Sequence, residues 1–496
     1  MPVIPAAWRT RLPAAAVALA SGVAALAGSY AVVGGASTFV AAPVANLTNT
    51  LAPAALVTFA ITVLGDLGSD LAYASGLAAT AALLGVVVAV GRAAATWAER
   101  PLFAPAAVGV AVGVVAAALT GAADSAVGAA VGAAVVATVA DFGAGTGTGA
   151  AASPPDGSRR ALLSGVAALA VAAVGVGGRR AFAPAEPVPT RPVPEDVAAR
   201  LDDAAAKSLD VEGLEPLVSD NFYQVDIANV DPEPSREDWS LRIHGAVDAE
   251  TTYDFSDVEA MDHDHRFVSL RCVGESLNGR KLDTALWTGV PLMDLLDPVD
   301  LQGEYVMLRA ADGFYEEFPV AALEDGFLAV GMNGQPLPRG HGAPARALIP
   351  GHWGEINVKW LTEIEILDEP ATGYWEERGW HGTGPVNTVA KLWATNRLAD
   401  GRIEVAGPAY AGTRGIRTVE VSTDGGDTWT EADLSDPLPG EDVWRQWVHR
   451  YEATDPHEVV VRAVDDTGTL QPEDEADAFP SGPSGWVSES IDPDSL

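Results

Sequence analysis

Long apolar stretches separated by short polar gaps dominate the first 180 residues. Each stretch has few or no charged residues and approaches the length that an α-helix needs to cross a bilayer; they run at about 12–33, 37–64, 71–91, 102–122, 125–142 and 161–178. Six membrane helices are the simplest count for a domain spanning residues 1–182. Small residues at close spacing, as from Gly128 to Gly132, favour close helix packing in lipid.

The pattern changes to that of a water-soluble protein after residue 182. Repeated prolines predict a stiff linker and connecting segment over 183–214. From 240 to 365 short β-rich segments mix with turns and a few helical stretches, and from about 386 strands dominate. We therefore predict an all-α membrane domain, an α+β domain at 215–385, and a β-sandwich with an acidic tail at 386–496.

Charge is divided between the same two parts. Residues 1–183 contain 8 Arg, no Lys and 6 acidic residues, so the rest of the chain carries −39 of the total net charge of −37. Such an acidic soluble part excludes nucleic acid as a partner, because phosphate backbones need a basic surface. The 4 Lys beside 26 Arg resemble proteins of salt-loving archaea, whose acidic surfaces remain soluble in concentrated salt.

Arginine positions predict the orientation of the membrane domain. If every stretch spans, Arg92 to Arg100 and Arg159 to Arg160 lie on one side, which the positive-inside rule places in the cytoplasm. The run from Ser158 to Leu163 resembles a twin-arginine export signal, with an ordinary positive flank as the alternative. Both interpretations put residues after 185 outside, in a multi-pass protein of the cell membrane. Arg9 and Arg11 fall on the opposite side, which indicates that one early stretch does not span.

The chain has a single cysteine, Cys272, which excludes an intrachain disulfide and any multi-cysteine zinc or iron–sulfur site. Alternation places Val268, Leu270 and Cys272 on one face of a strand that ends at Gly274. A lone cysteine in this setting is usually a small buried hydrophobic residue. Its thiolate is also a soft, strongly donating metal ligand. The motifs that follow it decide between these alternatives.

Those motifs follow Cys272 in a characteristic order: Trp287 to Leu292, Ala311 to Phe314, Met332 to Pro338, His341 to Arg346, Pro350-Gly351 and Asn357 to Leu361. In this order they resemble the molybdopterin-binding domain of the sulfite-oxidase family, over about residues 215–380. Residues 407–465 resemble the immunoglobulin-like dimerisation domain of that family, through Arg414 to Arg417 and Val419 to Trp429.

The resemblance implies a molybdenum cofactor with Cys272 as its only protein ligand to the metal and as the catalytic centre. It also implies cofactor contacts from nine residues: Asn221, Phe222, Tyr223, Asp312, His341, Arg346, Asn357, Val358 and Lys359. The cofactor ends in a phosphate, for which the Arg fork and the Lys and His donors are suited. The alternative for these basic residues is ordinary surface pairing and, for His341, a turn.

Three features of the sulfite oxidases are absent here. Those enzymes carry an arginine after the paired aromatics, where this chain has Gln224 to Asp226. They carry an arginine pair after the metal cysteine, where this chain has Ser276 and Leu277, and a tyrosine at the position of Val330. The resemblance therefore leaves the anion-binding role open.

Arg271 and Arg280 flank the metal cysteine in sequence and are candidates to replace those cations. Exposed arginines in surface salt bridges are the alternative.

We therefore predict an oxidoreductase that transfers an oxygen atom on a small sulfur or nitrogen oxo-compound, an oxo-anion or oxide. Residues 2–180 contain no Met, His or Cys, so no haem is expected in this chain and electrons pass to a separate carrier. Membrane lipid and a second copy, bound through the C-terminal domain, are the other predicted partners. The alternatives are an S-oxide or N-oxide reductase of the same superfamily, and a membrane-anchored binding module without cofactor.

Overall fold

The computed structural model describes residues 6–142 and 192–496. The chain forms two compact units, and each includes a segment from the sequence range of the other. The first comprises Met1–Ala52, Asp66–Pro189 and Ile227–Glu233, and the second Pro53–Gly65, Thr190–Asp226 and Pro234–Leu496.

Six α-helices form within residues 6–142: α1 (Ala6–Val33), α2 (Ala42–Thr50), α3 (Ala54–Phe59), α4 (Asp66–Trp97), α5 (Ala104–Thr120) and α6 (Ala123–Phe142). Three candidate membrane spans, in α1, α4 and α6, are long and apolar enough to cross a bilayer. The stretch 37–64 is not one straight helix. Helix α2 meets helix α3, which continues as a π-helix to Leu64, at an angle of 103°. If this bent pair is counted as one span, it is a fourth candidate. The predicted segment at 161–178 lies outside the described residues.

Small residues allow the helices of the first unit to pack closely. A Cβ on Gly28 of α1 or on Gly128 of α6 would overlap the backbone of the other residue, and Gly132 lies as closely against Ala24. The predicted packing role of the Gly128 to Gly132 motif is thereby confirmed. Arg92, predicted in a polar gap, instead lies within α4, and its Nη2 is 2.5 Å from Asp141 Oδ1. Helix formation continues past Arg92 because the residues that follow it are alanines.

The second unit contains two mixed or antiparallel sheets before residue 370. Its strands there are β1 (Ser240–Gly245), β2 (Thr251–Asp254), β3 (Asp264–Arg271), β4 (Leu282–Pro291), β5 (Tyr305–Ala310), β6 (Tyr315–Pro319), β7 (Phe327–Met332), β8 (Gln335–Pro336), β9 (Arg346–Leu348) and β10 (Leu361–Leu367). One sheet has the order β2-β1-β10-β5-β6, with β1 and β10 parallel. The other has the order β3-β4-β7-β8, and β9 also pairs with β7. Helices α7 (Glu195–Lys207), α8 (Phe255–Glu259) and α9 (Leu292–Leu296) complete this α+β part.

Two further sheets form the C-terminal part. Its strands are β11 (Val389–Ala390), β12 (Ala394–Arg397), β13 (Ile403–Tyr410), β14 (Ile416–Ser422), β15 (Thr430–Glu431), β16 (Asp433–Leu434), β17 (Arg445–Tyr451), β18 (His457–Asp465) and β19 (Val487–Ile491). The orders are β11-β13-β17-β16, with β12 on β13, and β15-β14-β18-β19. Val405 and Trp447 of the first sheet share one buried core with Val419 and Val461 of the second. The predicted β-sandwich is therefore present.

Candidate functional site

Cys272 lies immediately after β3, at the start of the loop that leads to β4. Its N–H donates to the Lys281 carbonyl at 3.0 Å, and Glu275 Oε2 accepts from the Lys281 N–H at 2.9 Å, so the loop is fixed at both ends. Burial raises the pKa of the Cys272 thiol to about 11. A free thiol here is therefore protonated at neutral pH, and a metal must displace that proton to bind.

Gly274 lies close to the cysteine sulfur and to two apolar side chains. A Cβ placed on Gly274 would lie 3.9 Å from Cys272 Sγ, 3.6 Å from Trp380 Cη2 and 2.9 Å from Ile61 Cγ2. Ile61 belongs to Pro53–Gly65, the segment of the helical sequence that packs within the second unit. Ile61, in the π-helical segment that follows α3, therefore packs beside the loop that carries Cys272. The sequence motifs did not indicate this contact.

Arg346, at the start of β9, is the buried cation of the site. Its Nη1 donates to the His341 carbonyl at 3.2 Å and its Nη2 to the Asn357 carbonyl at 2.8 Å, whereas its Nε has no partner among the described residues. Burial lowers the pKa of Arg346 to about 10. Burial and then the charges of Arg346 and Lys359 lower the pKa of His341 to about 4. His341 is therefore neutral at pH 7, and one ring nitrogen can donate.

Lys359 lies beside Asp226, which belongs to the segment Gln224 to Asp226 where the sulfite oxidases carry an arginine. Its Nζ donates to Asp226 Oδ2 at 2.7 Å and to the Gly340 carbonyl at 3.0 Å. Asp312 is close to this pair; burial first, and then Asp226, raise the pKa of Asp312 to about 6. Gly342, with φ +106°, allows the close approach, because a Cβ there would lie 3.0 Å from Lys359 and 3.1 Å from Arg346.

Aromatic rings lie next to the basic group formed by His341, Arg346 and Lys359. The ring of Phe222 lies 5.6 Å from that of His341 and 5.5 Å from those of Tyr223 and Trp287. Tyr223 connects this cluster to Cys272: burial first, and then the Cys272 thiol, raise the pKa of Tyr223 well above its usual value. The structure thus brings Phe222, Tyr223 and His341 together.

The remaining predicted contacts serve mainly to hold backbone or core. Asn357 Oδ1 accepts from the Ile349 N–H at 2.7 Å and its Nδ2 donates to the Trp353 carbonyl at 3.1 Å. Val358 is fully buried in the core of the sheets. The side chain of Asn221 is exposed. The assignment of these three residues as cofactor contacts stays a prediction.

The arginines near Cys272 are engaged with protein groups. Arg271 is fully buried, with Nε 2.9 Å from Glu275 Oε1 and Nη1 2.9 Å from the Asn387 carbonyl. The alternative of an exposed arginine is therefore wrong for Arg271. Arg280 is exposed and donates to the Trp393 carbonyl at 2.7 Å. Arg378 donates to the Tyr374 carbonyl at 2.7 Å and lies over the ring of that residue.

Besides Glu275, whose charge raises the pKa of the Cys272 thiol, two further charged groups that the motifs did not indicate act on it. Lys281 is a cation whose charge lowers the pKa of the Cys272 thiol, and Glu355 is a carboxyl that raises it. Val330, which replaces the family's tyrosine, packs in the core of the sheets, and Val225 is exposed.

Comparison with known proteins identifies this arrangement. Residues 227–375 match the family model of the oxidoreductase molybdopterin binding domain, and residues 387–479 match that of the Mo-co oxidoreductase dimerisation domain. An uncharacterised oxidoreductase, YuiH, of Bacillus subtilis is 31% identical over 150 residues, which are 29% of this chain and 74% of that protein. The chain belongs to the sulfite-oxidase family. Its residues 227–375 are accordingly the molybdopterin-binding domain of that family.

Mouse mitochondrial sulfite oxidase is 28% identical over 309 residues, which cover 50% of this chain and 55% of that enzyme. The chain thus spans about half the length of the curated sulfite oxidases it matches. The solved structure of sulfane dehydrogenase SoxCD from Paracoccus pantotrophus aligns with 63% of this chain and 94% of that chain, at 19% identity and a TM-score of 0.46.

The basic group fits the phosphate-bearing cofactor of the sulfite-oxidase family. Arg346 Nε is a buried donor that has no hydrogen-bond partner among the described residues, and burial, followed by the charges of Arg346 and Lys359, lowers the pKa of the neighbouring His341. A bound phosphate would accept a hydrogen bond from Arg346 Nε and would offset the positive charges beside His341.

Proposed function

We propose that this chain is a membrane-anchored molybdenum oxidoreductase that transfers an oxygen atom on a small, neutral or weakly charged sulfur or nitrogen oxo-compound. The observation that carries the proposal is the charge around Cys272. Arg271 and Arg280 are engaged with protein groups, and Glu275 and Glu355 place two carboxyls beside the thiol that oppose the charge of Lys281. A doubly charged anion in such surroundings would lose hydration without gaining paired donors, which costs several kcal/mol.

The cofactor would supply oxygen-atom and two-electron transfer at the metal held by Cys272. His341, Arg346 and Lys359 would hold its phosphate, with Phe222 and Tyr223 against the pterin. Ile61 and Trp380 would line the substrate side and exclude water. A binding module without cofactor would not need these phosphate- and pterin-binding residues. The remaining alternative, an S-oxide or N-oxide reductase, differs from an oxidase in the direction of turnover.

Purified protein should process a neutral S-oxide or N-oxide at least about tenfold more efficiently in kcat/KM than it oxidises sulfite, which corresponds to about 1.4 kcal/mol of transition-state binding. The measurement is a panel of oxides and oxyanions at high salt, with artificial electron donors and acceptors for both directions. Efficient sulfite oxidation would contradict the proposal. In that case Lys281→Met should abolish it, which would assign the anion-binding role to Lys281.

The N-terminal helices are proposed to anchor the enzyme in the cell membrane, with the catalytic part outside. Support comes from the three to four helices of spanning length and from the exposed valines of their outer faces, such as Val86, Val90 and Val131. Protease added to intact cells should remove the part after residue 185. Cleavage only after the cells are broken would place that part in the cytoplasm.

Two partners complete the proposal. The match of residues 387–479 to the dimerisation model supports a homodimer through the C-terminal sandwich. A separate electron carrier is proposed because residues 2–180 offer no haem ligand of the usual types.

A further inference from the structure

A short segment at the start of the molybdopterin-binding domain lies within the helical unit. Residues 227–233 belong to the first compact unit, and the family match of the molybdopterin-binding domain begins at residue 227. Val230 is buried, and it shares one apolar core with Ala42 of α2 and Leu84 of α4. The segment is therefore part of the packing of the helices.

Two asparagines of α2 hold the backbone of this segment. Asn46 Oδ1 accepts from the N–H groups of Asn229 and Val230, at 2.9 and 3.1 Å, and Asn46 Nδ2 donates to the Val230 carbonyl at 3.2 Å. Asn49 Nδ2 donates to the Ile227 carbonyl at 3.2 Å. The side chains of α2 thus supply the hydrogen-bond partners that this backbone needs away from water.

Helix α2 is itself fixed against α4. Gly76 of α4 allows the close approach, because a Cβ there would lie 2.6 Å from Ala45 Cα. The Ala45 carbonyl also accepts from Asn229 Nδ2, at 2.7 Å. The segment is therefore attached to a helix whose own position is set by close packing.

The residues just before this segment reach the basic group of the candidate cofactor site. Asp226 Oδ2 accepts from Lys359 Nζ at 2.7 Å, and the two side chains are each 10% exposed. The next residue is Ile227, whose carbonyl is held by α2. On the other side, the Tyr223 N–H donates to Asp283 Oδ2 at 2.7 Å. Backbone that is held at both ends restricts the Asp226 carboxylate to its place beside Lys359.

We propose that Asn46 and Asn49 are positioning residues for the cofactor pocket, because they fix the backbone that keeps Asp226 on Lys359. The inference rests on the proposed function, in which Lys359 binds the cofactor phosphate. A buried ion pair is favourable only while its geometry is kept, and an ammonium held in one place binds a phosphate without first having to be ordered. The helical part then contributes to cofactor retention as well as to anchoring.

The test compares how fast the holoenzyme releases its pterin. The full chain is incubated in detergent, and the pterin that stays on the protein after gel filtration is measured as its fluorescent oxidation product. Asn49→Leu should release pterin about tenfold faster than wild type, which is the effect of one lost hydrogen bond. An unchanged rate would overturn the proposal.

Thr50→Val is the matched control. The Thr50 hydroxyl donates to the Asn46 carbonyl at 3.2 Å within the same helix, on its exposed side. This variant should release pterin at the wild-type rate. Release as fast as that of Asn49→Leu would show that any change in α2 has the same effect, which would contradict a specific role of Asn49.

A double-mutant cycle separates positioning from general destabilisation. Asp226→Asn should itself accelerate release, and in that protein Asn49→Leu should cause no further acceleration, because both act through the same contact with Lys359. Effects of the two substitutions that multiply, or an Asp226→Asn protein with the wild-type rate, would overturn the proposal. If Asn49→Leu does not fold, Asn49→Asp takes its place, since it keeps the shape and removes only the donor.

These outcomes do not depend on substrate turnover. Wild type that holds pterin but turns over nothing in the oxide panel would contradict the proposed function, and the release rates would still decide the role of the asparagines. Release that is independent of Asn49 would overturn the positioning role and leave the proposed function intact. Wild type purified without pterin would contradict both.

Discussion

Replacement of Cys272 by serine is expected to lower oxidoreductase activity by more than about a hundred-fold. The reason is that a hydroxyl is a hard, weakly acidic ligand, whereas a thiolate donates strongly to molybdenum. Loss of residues that merely support metal ligands already costs 10- to 100-fold, so loss of the ligand itself should cost more. Activity is measured with the best substrate of the oxide panel.

The fold should survive this substitution, because Cys272 is only partly buried and serine differs from cysteine only by an oxygen in place of the sulfur. Circular dichroism and the thermal unfolding midpoint should match wild type. Serine enzyme with near-normal turnover would show that the metal is held elsewhere.

Replacement of Glu275 by alanine should destabilise the soluble part by about 3–5 kcal/mol. Glu275 Oε1 contacts both Arg271 Nε, at 2.9 Å, and Lys391 Nζ, and all three side chains are almost fully buried. Lys391 belongs to the segment between β11 and β12, so the carboxylate joins the metal-site loop to the C-terminal sandwich. Without Glu275, Arg271 and Lys391 would remain buried cations without a paired carboxylate.

Denaturant unfolding of the full chain in detergent, followed by tryptophan fluorescence, measures this loss. Glu250→Ala is the matched control, because Glu250 pairs with Arg242 at 2.8 Å on the exposed surface. We expect no measurable change in the control. Equal behaviour of the two variants would show that the buried network does not hold the domains together.

Local pattern was sufficient to predict the fold class. Alternation predicts a strand through Cys272 that ends at Gly274, whereas β3 ends earlier, at Arg271, and a glycine-rich turn after β14 follows from Asp424 to Gly426. The helical part was predicted less well, because hydropathy does not show a sharp bend: the stretch 37–64 divides into α2 and α3, and Ile61 joins the soluble unit. The break between α2 and α3 falls at Pro53, which has a non-helical backbone conformation at the start of α3 and was the sequence signal for the bend.

The order of motifs singled out Phe222, His341 and Arg346, and the structure places these three residues in contact with one another, while their role as cofactor contacts stays a prediction. The order of motifs did not predict the acidic residues near the site. In a chain with 67 Asp and Glu, a buried carboxyl such as Glu355 or Asp226 resembles the many exposed ones until its neighbours are known. The burial of Arg271 could not be predicted for the same reason, because its partners Glu275 and Asn387 are known only from the structure.

Metal analysis of the purified wild-type protein tests the central claim most directly. The chain should be expressed in cells that make the molybdenum cofactor and measured by inductively coupled plasma mass spectrometry, together with the pterin released on denaturation. One thiolate ligand and one phosphate-binding set predict about one molybdenum and one pterin per chain. Protein that folds and is purified from such cells without molybdenum would contradict the account.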